Sequence, residues 1–310
     1  MIDYTIVVPV YCNETSLEIL YKEVEEKIFN KNPNLNGKIV FCDDRSTDNS
    51  YNVLKELQSK NPEIGLIRFT RNFGQTAGIF CCLEKFESKA YVIMSADLQD
   101  PVELINDFLN QHFNEGFHIV AGIRSSRSDG FISDLSSKIF YLIMKNVVFK
   151  DYPKTHFDYV LISKKMRNIM LEIGDPNPFW QGQMIWSGLS RKFLPYVRAK
   201  RIYGKSKYTL SKKIKYFVDG IFGFSFTPIR LITVFGAVVS LLSFIYAIYI
   251  LMQKVIFGNH VEGWATIVVL ILLFFGIQFL FIGIIGEYLW RTLSQVQKKS
   301  MYVVDNTQID

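Results

Sequence analysis

Short apolar runs alternate with amphipathic stretches over the amino-terminal part of the chain. The runs at 6–10, 38–42, 64–69, 91–94 and 118–121 are rich in Val, Ile and aromatic residues, which predicts buried strands. After the first of them, Leu17, Leu20, Tyr21, Val24 and Ile28 recur at helical spacing and predict a helix over 15–29. Val53, Leu54 and Leu57 mark a second helix, with Ser46 or Asp48 available as its cap. A third is expected over 75–86 and a fourth over 102–114, with Pro101 at its start. Strands alternating with helices at this spacing imply an α/β fold around a mostly parallel sheet with right-handed crossovers. Ligands of such sheets collect at the carboxyl ends of the strands.

The carboxyl-terminal part has a different pattern. Residues 231–252 carry no charge, and neither do residues 264–286. Each run is long enough, at 1.5 Å rise per residue, to cross the roughly 30 Å of a bilayer's hydrocarbon, where the alternative is a helix buried in a soluble core. Two such runs in tandem, joined by a short link, predict a transmembrane hairpin over 228–290. Just before it, Ile214, Phe217, Val218, Ile221 and Phe222 line one face of a helix expected over 209–226, with Lys212, Lys213 and Lys215 beside them. That arrangement suits the headgroup boundary of a membrane. The chain therefore divides into a domain over 1–208, an amphipathic juxtamembrane region over 209–227, the hairpin, and a tail over 291–310.

Charge refines this picture. Ten Lys or Arg and no acid lie between Arg191 and Lys215, and Arg291, Lys298 and Lys299 follow the hairpin. The positive-inside rule puts both ends in the cytoplasm, at an inner, cytoplasmic membrane. The net charge of +6 is concentrated beside the membrane, and no nucleic acid partner is expected. Four cysteines without a C-x-x-C pair are read as reduced thiols, and four scattered histidines exclude a zinc pattern. No cleavable leader precedes the first strand. A G-x-G-x-x-G dinucleotide fingerprint after that strand is missing, as is a G-x-x-x-x-G-K-[ST] phosphate loop.

The chemistry-bearing residues cluster at predicted strand ends. Glu14 follows the first strand, Asp43 and Asp44 the second, and Ser95-Ala96-Asp97-Leu98-Gln99-Asp100-Pro101 the fourth. Acids crowded at such a rim need a shared cation or donor. Mg²⁺ or Mn²⁺ takes oxygen ligands, with one or two carboxylates from the protein and the rest from water and substrate phosphates. Asp97 and the amide oxygen of Gln99 are spaced to hold one such ion. An Asx turn with a helix cap is the alternative for this stretch alone. Without a phosphate loop, a nucleotide would be held by carboxylates on its ribose and base and by metal on its diphosphate, which is the chemistry of a nucleotide-sugar.

Val8-Pro9-Val10-Tyr11 with Asn13-Glu14, Asp43-Asp44-x-Ser46-x-Asp48, Arg71-Asn72-Phe73-Gly74, Asp97-Leu98-Gln99-Asp100-Pro101 and Gly122-x-Arg124 resemble, in order, the motifs of family 2 inverting glycosyltransferases of GT-A fold. Arg201-x-x-Gly204-x-Ser206-Lys207-Tyr208 and Gly283-x-x-Gly286-Glu287-Tyr288-x-x-Arg291 extend the likeness to the polyprenyl-phosphate members, the dolichol-phosphate mannose synthases and undecaprenyl-phosphate glucosyltransferases with a two-helix anchor. The resemblance implies inverting transfer of a sugar, from a UDP-sugar in preference to GDP-mannose, to polyprenyl (undecaprenyl) phosphate at the cytoplasmic membrane face. It implies a nucleotide-sugar site of Pro9, Tyr11, Glu14, Asp44, Asp97 and Gln99, with Asp44 near the base, Glu14 on the ribose, and Mg²⁺ or Mn²⁺ on Asp97 and Gln99. Ser95 replaces the first acid of the family's usual D-x-D, so one metal ligand is missing or weaker.

An acceptor phosphate needs cations and donors, and Arg124, Arg127, Ser137, Lys138, Arg201, Lys205, Ser206 and Lys207 are the candidates, with positive-inside bias and attraction to anionic lipid as the alternative; the resemblance singles out Arg124, Arg201 and Ser206. Asp158 matches the catalytic aspartate, although Val160 stands where an Arg is usual, and an Asp capping the helix from Ser163 is the alternative. Gln181-Gly182-Gln183 and Trp186-x-Gly188 resemble the helix at the sugar pocket. A homo-tetramer is implied for members with this anchor. Two rivals remain: a transferase acting on another lipid or a growing glycan, and a non-catalytic scaffold that binds nucleotide-sugars. Processive synthases carry Q-x-x-R-W, and the nearest phrase here, Gln181 to Trp186, lacks the Arg.

Overall fold

The structure is a computed structural model that describes residues 1–125, 142, 144–149, 151–153, 157–199, 218, 220–257, 263–297 and 299–305. The chain forms two compact units, Met1–Gly220 with Ser300–Asp310, and Ile221–Lys299. The boundary falls at Gly220, inside the juxtamembrane region expected over 209–227.

The first unit is built on a seven-stranded sheet in the order β3-β2-β1-β4-β6-β5-β7. β1 (Tyr4–Val10) is buried along its whole length, as a strand with parallel neighbours on both sides must be. β2 (Gly37–Asp43) and β4 (Ala90–Ile93) flank it in parallel, and β3 (Gly65–Arg68) continues the parallel set beyond β2. α1 (Leu17–Val24) runs on into a π-helical turn, Glu25–Phe29, and its Leu17, Leu20 and Val24 pack with Tyr4, Ile6 and Val8 of one sheet face. Each such aliphatic side chain, fully buried, contributes about 1.5–3 kcal/mol. α2 (Ser50–Lys60) and α4 (Leu104–Phe113) add Leu54, Ile105 and Phe108 to the same core. α3 (Gln75–Lys85) packs against β1 and β2 through a different set of side chains, Ile79, Cys82 and Leu83, all buried.

The second half of the sheet departs from the simple alternation. β6 (Val160–Ser163) is inserted antiparallel between β4 and β5 (Ile119–Arg124), and β7 (Arg191–Tyr196) lies parallel to β5 at the edge. Because β6 runs against its neighbours, its amino end meets their carboxyl ends, which brings Asp158 to the rim that carries Arg124. α5 (Lys164–Ile173) follows β6 directly, capped by the Ser163 hydroxyl, which accepts from the Met166 N–H at 3.3 Å. α6 (Trp180–Trp186) packs beside α5.

The second unit is a helix pair, α7 (Thr227–Phe257) and α8 (Trp264–Gln297). Both expose large apolar side chains such as Leu231, Val234, Phe244, Phe279 and Leu289, and segments 227–246 and 273–297 are long and apolar enough to cross a membrane, with none of their length buried. A helix that is apolar all round and buried by no protein belongs in lipid. Phe235 and Phe281 meet edge to face at 5.6 Å between the two helices. α8 extends beyond the uncharged run and carries Glu287 and Arg291, whose charges pair at 2.9 Å one turn apart.

Candidate functional site

Three non-glycine residues among those described have positive φ: Cys12 at 55°, Arg45 at 58° and Leu98 at 56°. They sit in the loops that leave β1, β2 and β4. Such conformations cost energy, persist only where the surroundings enforce them, and cluster at functional sites. Nothing in Cys, Arg or Leu as residue types signals this, so the sequence could not locate them. The first two loops are laced together. Cys12 N donates to Ser46 Oγ at 2.9 Å, Asn13 N to Ser50 Oγ at 2.8 Å, and Asn49 N to the Glu14 carboxylate at 2.8 Å. Asp48 accepts from the Ser50 N–H at 3.1 Å and from its hydroxyl at 2.6 Å, but the N-cap position of α2 is Asn49, so neither Ser46 nor Asp48, the expected caps, occupies it.

Pro9 is buried within β1, and Tyr11 is half-buried just beyond it. Asp44 is buried, and its two oxygens accept from the backbone N–H groups of Phe73 at 2.6 Å and Gly74 at 2.8 Å. This carboxylate fixes the Arg71–Gly74 loop to the end of β2. Gly74 has φ 97°, a conformation for which a side chain would be strained, which accounts for glycine at the start of α3. Its neighbour Asp43, fully buried, lies 3.3 Å from Arg68 Nε.

The turn after β4 is bonded both within itself and to the end of β7 and the stretch after it. Ser95 Oγ lies 2.7 Å from Asp97 Oδ1 and 2.8 Å from Asp100 Oδ2, so the residue that replaces an expected acid links the two carboxylates. Asp100 is buried and accepts from Tyr196 Oη at 2.7 Å, with Arg198 Nε 3.5 Å from the same oxygen. Burial, helped by the charge of Asp158, pushes the Asp100 carboxyl up from its ordinary range, while Arg198, Tyr196 and Ser95 pull the other way. Asp97 is more accessible, with Arg198 Nη2 3.9 Å from its Oδ2. Gln99 exchanges two bonds with the stretch after β7: Ala199 N donates to Gln99 O at 2.9 Å, and Gln99 Nε2 donates to Ala199 O at 3.1 Å. With Nε2 so committed, Oε1 is the amide atom available to a cation.

Among the described residues no group of three or more His, Cys, Asp and Glu forms a complete metal cage. The donor set nonetheless fits a hard cation that takes its remaining ligands from phosphate, since Asp97 and Gln99 offer oxygens from one turn. Arg198 was not singled out by sequence reasoning. It is one of ten cations in a basic stretch, and only the register of β7 reveals that it reaches the acidic turn. Removing it strips a partner from a buried carboxylate, and Arg198→Ala is expected to lower stability by about 2 kcal/mol, read from denaturant unfolding of the detergent-solubilised protein.

Arg124 ends β5, and its Nη2 lies 3.3 Å from Asp158 Oδ1. Burial works against the guanidinium charge, but Asp158, Tyr196 and Asp100 outweigh it and keep Arg124 firmly protonated. Asp158 does not cap the following helix, because Ser163 does; it pairs with Arg124 instead. Arg127, Ser137, Lys138, Arg201, Lys205, Ser206 and Lys207 lie outside the described residues. On α6, Gln183 is fully buried and neither end of its amide has a partner among the described residues, and Oε1 of the buried Gln181 also lacks one among them. Buried polar atoms without a protein partner are rare, and water, an ion or a polar ligand completes their bonding. Trp186 is mostly exposed.

Acidic turn, Arg124–Asp158 ion pair and buried amides thus lie in one unit, the first two on the same sheet edge. Residues 5–170 match the family described as glycosyl transferase family 2, more than half of the chain. The chain belongs to that family. Over 307 residues this glycosyltransferase is 32% identical to an uncharacterized glycosyltransferase of Bacillus subtilis, covering 99% of the chain and 94% of the relative. It is 32% identical over 301 residues to a prophage bactoprenol glucosyl transferase homolog of Escherichia coli, covering 97% of each. A bactoprenol glucosyl transferase of Shigella phage SfV is 30% identical over 303 residues, covering 97% of this chain and 98% of that one. The fold is also that of a Pyrobaculum calidifontis mannosyltransferase solved with GDP-mannose and Mn²⁺, at TM-score 0.50 and 14% identity, covering 73% of this chain and 64% of that one. The expected GT-A fold and the expected family are both established.

Proposed function

We propose that this glycosyltransferase moves a sugar, glucose from UDP-glucose in our reading, onto the phosphate of a polyprenyl lipid such as undecaprenyl phosphate, with inversion at the anomeric carbon. The observation that carries the proposal is the meeting, on one sheet edge, of the acidic 95–100 turn with the Arg124–Asp158 pair. The former suits a diphosphate with a divalent cation, the latter a second phosphate. The bactoprenol glucosyl transferases to which the chain is similar end to end support the lipid acceptor and the glucosyl group.

In this reading Asp97 and Gln99 hold Mg²⁺ or Mn²⁺, which when bound offsets the charge of the departing nucleoside diphosphate. Pro9, Tyr11, Glu14 and the Asp44 loop shape the nucleotide side of the pocket. An acceptor phosphate oxygen forms the new bond to the anomeric carbon from the face opposite the diphosphate, which leaves with the electron pair of the broken bond. A phosphate monoester has a second pKa of about 6, so its dianion needs no base near neutral pH. Asp158 therefore orients Arg124 and the acceptor and shields positive charge developing on the sugar, while Arg124 contacts the phosphate. Arg127, Ser137, Arg201, Ser206 and Lys207 would extend the phosphate site, and Gln181 and Gln183 would take sugar hydroxyls. The helix pair anchors the enzyme in the inner membrane with the catalytic unit and both termini cytoplasmic, as the Lys/Arg distribution suggests, in a homo-tetramer as the family resemblance implies.

The test uses the full-length protein in detergent with undecaprenyl phosphate, Mg²⁺ or Mn²⁺, and in turn UDP-glucose, UDP-N-acetylhexosamines and GDP-mannose, the lipid product being read by mass spectrometry. UDP-glucose is expected to give a hexosyl-phospholipid whose formation stops when the metal is chelated. A product only from GDP-mannose would reassign the donor. No lipid product from any donor would favour a binding scaffold instead.

A further inference from the structure

β3 is the edge strand of the sheet, with a free row of backbone groups on its outer side unless something covers it. Residues 303–305 pair with its carboxyl end and the two residues beyond. Val304 pairs antiparallel with Phe69, Thr70 N donates to Val303 O at 3.1 Å, and Asp305 N donates to Arg68 O at 2.9 Å. This pairing is not confined to backbone. The Tyr302 ring stacks on Phe69 with centroids 5.4 Å apart and planes 13° from parallel, and its hydroxyl bonds the Glu84 carboxylate on α3.

Phe69 leads directly into the nucleotide-side loop. It is fully buried and meets Phe73 edge to face at 5.6 Å, and Phe73 is the residue whose N–H binds Asp44. At the other end of the segment, Asp305 lies 3.7 Å from Arg45, the strained residue that follows Asp44. Residues 302–305 thus reach both loops that bracket Asp44: one through a chain of three aromatic rings, Tyr302 to Phe69 to Phe73, the other through an ion pair. The ion pair is largely exposed and worth little, so the rings and the backbone bonds are the effective links.

We propose that residues 300–305 are a strap that holds the Asp44 and Arg71–Gly74 loops in their donor-binding conformation, with Tyr302 as its positioning residue. The strap follows the membrane helices in the chain, so the segment that leaves the anchor also steadies the nucleotide side of the pocket. This inference rests on the reading of those loops as the nucleotide site.

The experiment compares full-length wild type with Tyr302→Ala and Tyr302→Phe, by steady-state kinetics and by hydrogen exchange of the peptide covering 71–74, with and without UDP. Tyr302→Ala is expected to raise the donor KM about fivefold, the order of one lost aromatic pair, while the acceptor KM stays within about twofold. Exchange at Phe73 and Gly74 should quicken, and Tyr302→Phe, which keeps the ring, should behave close to wild type. Equal effects on both KM values, or unchanged exchange and donor KM in Tyr302→Ala, would overturn the strap. If UDP fails to protect 71–74 in the wild-type protein, the underlying nucleotide assignment falls, and the strap's purpose with it.

Discussion

Asp97→Ala is expected to lower turnover about a thousandfold, the scale on which removal of charge stabilisation at a leaving group is felt. The carboxylate is the more accessible of the two acids in the 95–100 turn, and although its Oδ1 accepts from Ser95 Oγ and Gln99 N, the turn keeps its anchors at Asp100, through Tyr196 and Arg198, and in the paired bonds between Gln99 and Ala199. Alanine at 97 should therefore destabilise the fold by only about 1 kcal/mol, the scale of a lost hydrogen bond, far less than the effect on turnover. Single-turnover rates with and without Mn²⁺, together with denaturant unfolding, separate loss of chemistry from loss of structure. A variant that turns over at the wild-type rate would remove the metal assignment.

Asp158→Asn comes next in size, with an expected fall in kcat of about a hundredfold and little change in donor KM. The amide keeps the shape of the side chain but not the charge that balances Arg124, 3.3 Å away. Arg124 would then be held by the remaining buried acid, Asp100, and drawn off the acceptor. A general base would give a similar loss, but the phosphate dianion makes a base unnecessary near neutral pH, and the two roles part at higher pH. Loss of a base would be recovered as the medium supplies hydroxide, whereas loss of orientation would not. Full activity in Asp158→Asn would contradict both roles.

Most of the fold was legible because its strands are buried on both faces and read as unbroken apolar runs. Those expected at 6–10, 38–42 and 91–94 agree with β1, β2 and β4 to within a residue or two. β6 was not legible as a strand. It has four residues, and the stretch carrying it drew notice for Asp158 rather than for its periodicity. Its antiparallel insertion decides which edge Asp158 occupies, so a local feature with a weak signal fixed a functional position. α1 was expected to run evenly to 29, but its last turn is π-helical, a distinction that apolar spacing does not encode.

The site divides along the same line. Acids at strand ends announce themselves by residue type, which is why Glu14, Asp44 and Asp97 stand out in the sequence, whereas Asp158 stands out only through the family resemblance. What each acid binds depends on backbone that arrives from elsewhere. Asp44 bonds a loop almost thirty residues away, and Arg198 reaches its acids only because β7 lies beside β5. The docking of residues 302–305 on β3 was equally hidden, since a tail of a few residues has no pattern that names the edge it will cover.

The central claim is that the 97–99 turn binds a divalent cation together with the nucleotide diphosphate. Electron paramagnetic resonance of Mn²⁺ titrated into the detergent-solubilised enzyme with UDP present tests it most directly. Wild type should sequester the ion in a UDP-dependent complex that is absent in Asp97→Ala. Equal uptake by both proteins, or uptake indifferent to UDP, would contradict the account.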